Sequence, residues 1–205
     1  MKNENKNKMY YDYTSDSHKI MVEKLYLINS AVTAQKYINN IHSIFDSISK
    51  KLTVPFRHIY TVGSAHMGFS IKDNHPFNKG VSDLDVAIVD QHLFNKYMIA
   101  ILEETNYYKK QQGFKIRHEI IDGEKKEYSD FKSYKENLAK GIIHPRYFPI
   151  GETKESWDKF FYEITFKHTD IFQKITACIF LSEECFRLKQ EYNIKYFKSQ
   201  QPRGN

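Results

Sequence analysis

The stretch Ile59-Tyr60-Thr61-Val62-Gly63-Ser64-Ala65-His66-Met67-Gly68, followed by Val81-Ser82-Asp83-Leu84-Asp85-Val86-Ala87-Ile88-Val89, decides how this 205-residue chain is read. The β-prone run 59–62 predicts a strand that ends at Gly63. In the second run side chains alternate with period two. Leu84, Val86 and Ile88 therefore share one face, and Asp83, Asp85, Ala87 and Val89 share the other. An apolar face packs on a core, which aims both carboxylates together. Their Cα atoms are expected roughly 6.6–6.8 Å apart, a spacing from which two carboxylates can converge on divalent ions. Mg²⁺ suits such a site because it takes carboxylate, water and phosphate oxygens, and paired ions in phosphoryl-transfer sites sit about 3.5–4 Å apart. Gly63 lets the backbone approach a ligand closely, while Ser64 offers a hydroxyl and an N–H. A short helix opening at Ser64 would direct free N–H groups at phosphate oxygens, and Gly68 permits another tight turn.

These residues resemble the nucleotidyltransferase superfamily that includes DNA polymerase β. The family pattern is an apolar strand, Gly-Ser or Gly-Gly, a spacer, then two acidic residues flanking an apolar one. Gly63, Ser64, Asp83 and Asp85 match it residue by residue, Gly68 matches a frequent further glycine, and the likeness spans residues 35–105. The resemblance implies transfer of a nucleoside monophosphate from an NTP to a hydroxyl acceptor, with Mg²⁺ or Mn²⁺ held by Asp83 and Asp85. It also implies nucleotide contacts from Gly63, Ser64, His66, Gly68 and Ser82. Acceptors in the family include proteins, RNA and small molecules, and several small members act in bacterial toxin–antitoxin and antiphage systems. Two departures stand out. The spacer through Phe69–Gly80 is long, polar and turn-prone, readable as a surface loop or as a substrate loop bringing Lys72, His75 and Lys79 near phosphate. The third carboxylate that the family takes from a later strand has no clear counterpart. Glu119, in Phe114-Lys-Ile-Arg-His-Glu-Ile-Ile121, is the best candidate, ahead of Asp122 in an Asp-Gly turn and Glu163 in a helical stretch. Without it, the fold would serve as a nucleotide sensor or partner-binding subunit.

Bulk properties fit one folded unit. Hydrophobic content of 40% and charged content of 27% are globular values. No apolar run reaches the ~18–20 residues of a membrane span, and the start lacks a signal peptide's apolar stretch, so a cytoplasmic protein without a membrane partner is expected. The net charge of +6 allows a nucleic-acid partner. The basic residues are spread along the chain, with small clusters only at Lys50-Lys51, Lys109-Lys110 and Lys125-Lys126, which favours solvated faces. Cys178 and Cys185, seven apart, read as core thiols on one helix.

The expected architecture is a small mixed α/β (α+β) sheet flanked by helices. A flexible tail, 1–17, precedes a core over 18–150 and a helical part over 151–200. His18–Leu52 carries Ile38, Ile41, Phe45, Ile48 and Leu52 at helical steps, and Pro55 follows. Leu93–Glu104 and Tyr128–Lys140 are further helices, the latter with Ser129 as N-cap and Gly141 past its end. Ile142–Pro149 is an extended connector. Phe172, Ile175, Ile179, Phe186 and Tyr192 predict one or two long C-terminal helices.

Overall fold

Where β-branched runs meet, a sheet forms, and the amphipathic runs close over both of its faces. The computed structural model describes residues 13–71, 74–121 and 124–200, without the side chains of Glu119, Ile121, Glu124 and Gln200. In chain order the elements are α1 (His18–Val22), a π-helical segment (Glu23–Ile28), α2 (Val32–Lys36), α3 (Ile38–Leu52), β1 (Ile59–Val62), α4 (Gly63–Met67) and β2 (Leu84–Val89). Then come α5 (Gln91–Glu104), β3 (Ile116–Ile121), β4 (Glu124–Ser129), α6 (Asp130–Leu138), β5 (Ile142–Ile143), α7 (Glu152–Lys167), β6 (Ile175–Phe180) and α8 (Glu183–Gln200). The class is mixed α/β, as the sequence implies. Among the described residues, no helix is long and apolar enough to cross a membrane.

The main sheet has four strands in the order β1-β2-β6-β5. β2 is antiparallel to β1 and parallel to β6, with Asp85 opposite Val62 on one side and Thr176 on the other. Leu84, Val86, Ile88, Ile175, Ala177 and Ile179 point into one core, with Ile41, Ile44, Ile48, Phe94, Trp157 and Phe161 from α3, α5 and α7. Ala87, Phe180 and the neighbouring Tyr60 and Cys178 face a second core, built from Met21, Leu25, Phe186, Ile194 and Phe197. Burial on both faces suits a strand whose central residues are all apolar. Asp85 near the start of β2, and Asp83 just before it, are exposed.

Three expectations are corrected here. Ile175–Phe180 is a strand, not part of a helix. Ile175 and Ile179 fit a helical step as well as a strand, and the short β-branched run Ile-Thr-Ala-Cys-Ile-Phe is resolved only by pairing with β2. Cys178 therefore lies in β6 and Cys185 in α8, both as free thiols, rather than on one helix. The stripe over 18–52 is broken: Asn29 and Ala31 are extended, and Tyr37 interrupts again before α3. Asn and Ser at 29 and 30 compete locally with helical backbone bonding. By contrast, Ser129 caps α6 by accepting the Phe131 N–H, and Gly141 follows it in the left-handed region at φ 69°. The expected tail, 1–17, falls mostly outside the described residues.

β3 and β4 form a separate two-stranded hairpin. Its tether is Arg117, whose guanidinium donates to both oxygens of Asp130 at 2.5 and 2.9 Å, with a longer bond to the Arg146 carbonyl at 3.4 Å. The Asp130 side chain is 2% exposed and that of Arg117 31%. Removing one partner strands the other charge. Asp130→Ala is expected to cost about 2–3 kcal/mol in urea unfolding, at the lower end for such pairs because Arg117 keeps some contact with water.

Candidate functional site

Gly63 is where the first strand meets the carboxylates. Val62 pairs with Asp85 across β1 and β2, so the residue after Val62 turns directly over the Asp85 side chain. Gly63 adopts φ +64°, and a Cβ there would stand 3.0 Å from Asp85 Oδ2. Two independent reasons thus demand glycine: the left-handed backbone and the carboxylate pressed against it. α4 then runs five residues to Gly68, which closes it in the left-handed region at φ 80°. Ser64 is half-buried at its start.

Both oxygens of Asp85 have defined surroundings. Oδ1 accepts the Thr176 hydroxyl at 2.7 Å, while Oδ2 lies over Gly63. Asp83, the residue before β2, and Asp85 within it are both exposed. Asp83 is held above the ordinary carboxylate range, first by partial enclosure of its carboxyl and next by the like charge of Asp85, with Lys174 opposing both. A cation between the two carboxylates would relieve that repulsion. These donors, beside a backbone position where a side chain would crowd Asp85, fit a divalent ion. Among the described residues no group of three His, Cys, Asp or Glu side chains converges on one point.

The neighbour to Asp85 on the adjacent strand is Thr176. It presents a hydroxyl to Asp85 rather than a carboxylate. Glu119 lies on β3 opposite Lys126, in the hairpin that shares no hydrogen bond with the main sheet, and its side chain is outside the described residues. Glu163 lies on α7, and Asp122 is outside the described residues. Sequence reasoning missed Thr176 and Lys174 because it read their segment as helix. The signal was present in the β-branched run starting at Ile175. Cys178, two residues on, is no nucleophile: burial, then the Asp85 charge, pushes its thiol up to about 12.

Other expected site residues have structural partners. His66 is 3% exposed, placed inside the second core with its ring stacked on Tyr26 at 4.5 Å and Nε2 donating to the Leu25 carbonyl at 2.6 Å. Burial lowers its pKa to about 4, against the pull of the Leu25 and Thr61 carbonyls. Ser82 accepts the Asn78 N–H on its hydroxyl at 2.9 Å, which closes the end of the spacer. The spacer itself is anchored, with Phe69 buried against Phe197, Phe77 against Phe172, and the Gly80 N–H donating to the Ile171 carbonyl at 2.7 Å. His75 and Lys79 are exposed on it, and Lys72 lies outside the described residues. No protein family, curated protein or solved structure matches this chain.

Two outcomes are expected. Gly63→Ala should lose at least about 1–2 kcal/mol of stability, from the left-handed backbone alone, before any effect on ligand binding. His66 titrates near 4 when folded and near 6.5 when unfolded, so below about 6.5 the unfolded chain binds the extra proton. Stability is full above that pH and falls as the pH drops toward 4, by about 3 kcal/mol in total. His66→Gln, which still donates to the Leu25 carbonyl, should flatten that acid limb in unfolding curves taken from pH 7 to pH 4.

Proposed function

We propose that the open end of β2 is a nucleotide site, and that the chain transfers a nucleoside monophosphate from an NTP to a hydroxyl acceptor. The close approach of Gly63 to Asp85 carries this reading. A glycine backbone set close against the Asp85 carboxylate, with Asp83 just before the same strand, suits a metal–triphosphate, and it agrees with the resemblance to nucleotidyltransferases. Asp83 and Asp85 would hold Mg²⁺ or Mn²⁺, which when bound neutralises phosphate charge and polarises the phosphoryl oxygens. Gly63, Ser64 and Gly68 would border the β- and γ-phosphates. Thr176 fixes the rotamer of Asp85 so that Oδ2 stays over the glycine turn. The contribution of these residues is positioning and charge compensation. Acceptors of the protein, RNA and small-molecule classes all fit this reading, as does a place in bacterial toxin–antitoxin or antiphage defence.

Thr176 favours a second reading, a nucleotide sensor or partner-binding subunit with little turnover. Two carboxylates and a hydroxyl hold a cation less strongly than three carboxylates. The two readings separate in one experiment, incubation with each α-labelled NTP and Mg²⁺ or Mn²⁺ across protein, RNA and small-molecule acceptors. Pyrophosphate release that drops at least about 100-fold in Asp85→Ala supports the transferase. Stabilisation by nucleotide, about 2.7 kcal/mol at a hundredfold excess over Kd, without release supports the sensor. Neither release nor stabilisation would sink both. Asp83→Asn should be at least as stable as the parent, because the folded state disfavours that charge, so its loss of function is not a folding defect.

A further inference from the structure

The segment from the end of α5 to the end of α6 carries chemistry that the Asp83/Asp85 site does not use. Residues 105–140 hold nine Lys or Arg against six Asp or Glu, contributing +3 of the chain's net +6. Tyr108, Phe114, Phe131 and Tyr134 form an aromatic cluster, with ring centroids 5.0–6.0 Å apart, that ties the loop after α5 to α6. The Asp130 N–H donates to the Lys115 carbonyl at 2.9 Å, and Arg117 holds the hairpin to the same helix. Around this frame Lys109, Lys110, Lys115, Lys125 and Lys126 are exposed. Lys109, Lys110, Lys115 and Lys125 have no ion-pair partner among the described residues. One hairpin face, with Ile116, His118 and Ile120, is open, and Ile120 is 80% exposed.

The loop also presents an aromatic ring. Asn106, Tyr107 and Tyr108 are consecutive non-glycine residues in the left-handed region, at φ 47°, 54° and 61°. Each such residue costs roughly 1–2 kcal/mol. Thr105 holds the run: its hydroxyl accepts the Tyr108 N–H at 3.1 Å and its carbonyl the Lys110 N–H at 2.9 Å. Tyr107 turns outward, 76% exposed, next to the two lysines that follow Tyr108.

We propose that this lobe binds single-stranded nucleic acid, with Lys109, Lys110, Lys115, Lys125 and Lys126 on phosphates and the Tyr107 ring stacked on a base. Unpaired ammonium groups answer a polyanion by charge complementarity. An exposed ring beside them selects a strand whose bases are free to stack, which a duplex does not offer. An acidic peptide would answer the lysines but not the ring.

The test is fluorescence anisotropy of the full chain with labelled oligo(U) and oligo(dT) twelve-mers across a salt series. Kd should rise steeply with salt, and the Lys109→Gln, Lys110→Gln double variant should lower the log–log slope by about 1.4, or ~0.7 per phosphate contact. Tyr107→Ala should raise Kd at least about fivefold while Tyr107→Phe retains binding. Lys50→Gln with Lys51→Gln on α3 should leave Kd unchanged. Tighter binding of one oligonucleotide assigns the strand as RNA or DNA. A flat salt response overturns the proposal. So does poly-glutamate binding as tightly as the oligonucleotides with Tyr107→Ala indifferent, which would assign the lobe to an acidic protein.

Discussion

The parallel pairing of β2 with β6 is the contact on which the rest of the molecule depends. It joins residues about ninety positions apart, Leu84 with Ile175 through Val89 with Phe180, and so places the C-terminal third inside the sheet. Parallel strands require cover on both faces. α3, α5 and α7 cover one, and α1, the π-helical segment and α8 cover the other. The same register sets Thr176 against Asp85. The strand that completes the core therefore also completes the candidate site.

That site shows how packing and chemistry constrain one another. Gly63 is held in a conformation that only glycine adopts cheaply, with the Asp85 carboxylate where a side chain would be. Asp83 carries a charge that the fold disfavours. Arrangements of this kind cost stability and are retained where a ligand repays them. His66, though adjacent in sequence to the glycine turn, is spent on the opposite side, joining α4 to the π-helical segment through the Leu25 carbonyl. Two neighbours on one short helix thus serve different layers of the molecule.

The lobe over residues 105–140 contrasts with the sheet. It is built on a small aromatic cluster and a half-exposed Arg117 paired with the buried Asp130, rather than on strand pairing with the main body. Its open hairpin face and left-handed loop bury little, and they present charge and one ring to solvent. The two occupants we propose, a small phosphate ligand at the open end of β2 and a longer polyanion on the lobe, call for different physics. The first needs a close backbone approach, and the second needs spaced, solvated ammonium groups.

Local pattern by itself determined the strand at Leu84–Val89, the turn at Gly63, the Ser129 cap of α6 and the buried stripe Ile41, Phe45, Ile48 and Leu52, because each follows from periodicity and backbone chemistry within a few residues. The mixed α/β class followed from the same signals. What only the tertiary structure decided is the identity of β6, since a short and largely apolar run satisfies helix and strand spacing alike until a partner strand is present. It also decided the neighbour of Asp85 and the interior position of His66. Each of those depends on which distant residues meet, and one chain's periodicity carries no record of that.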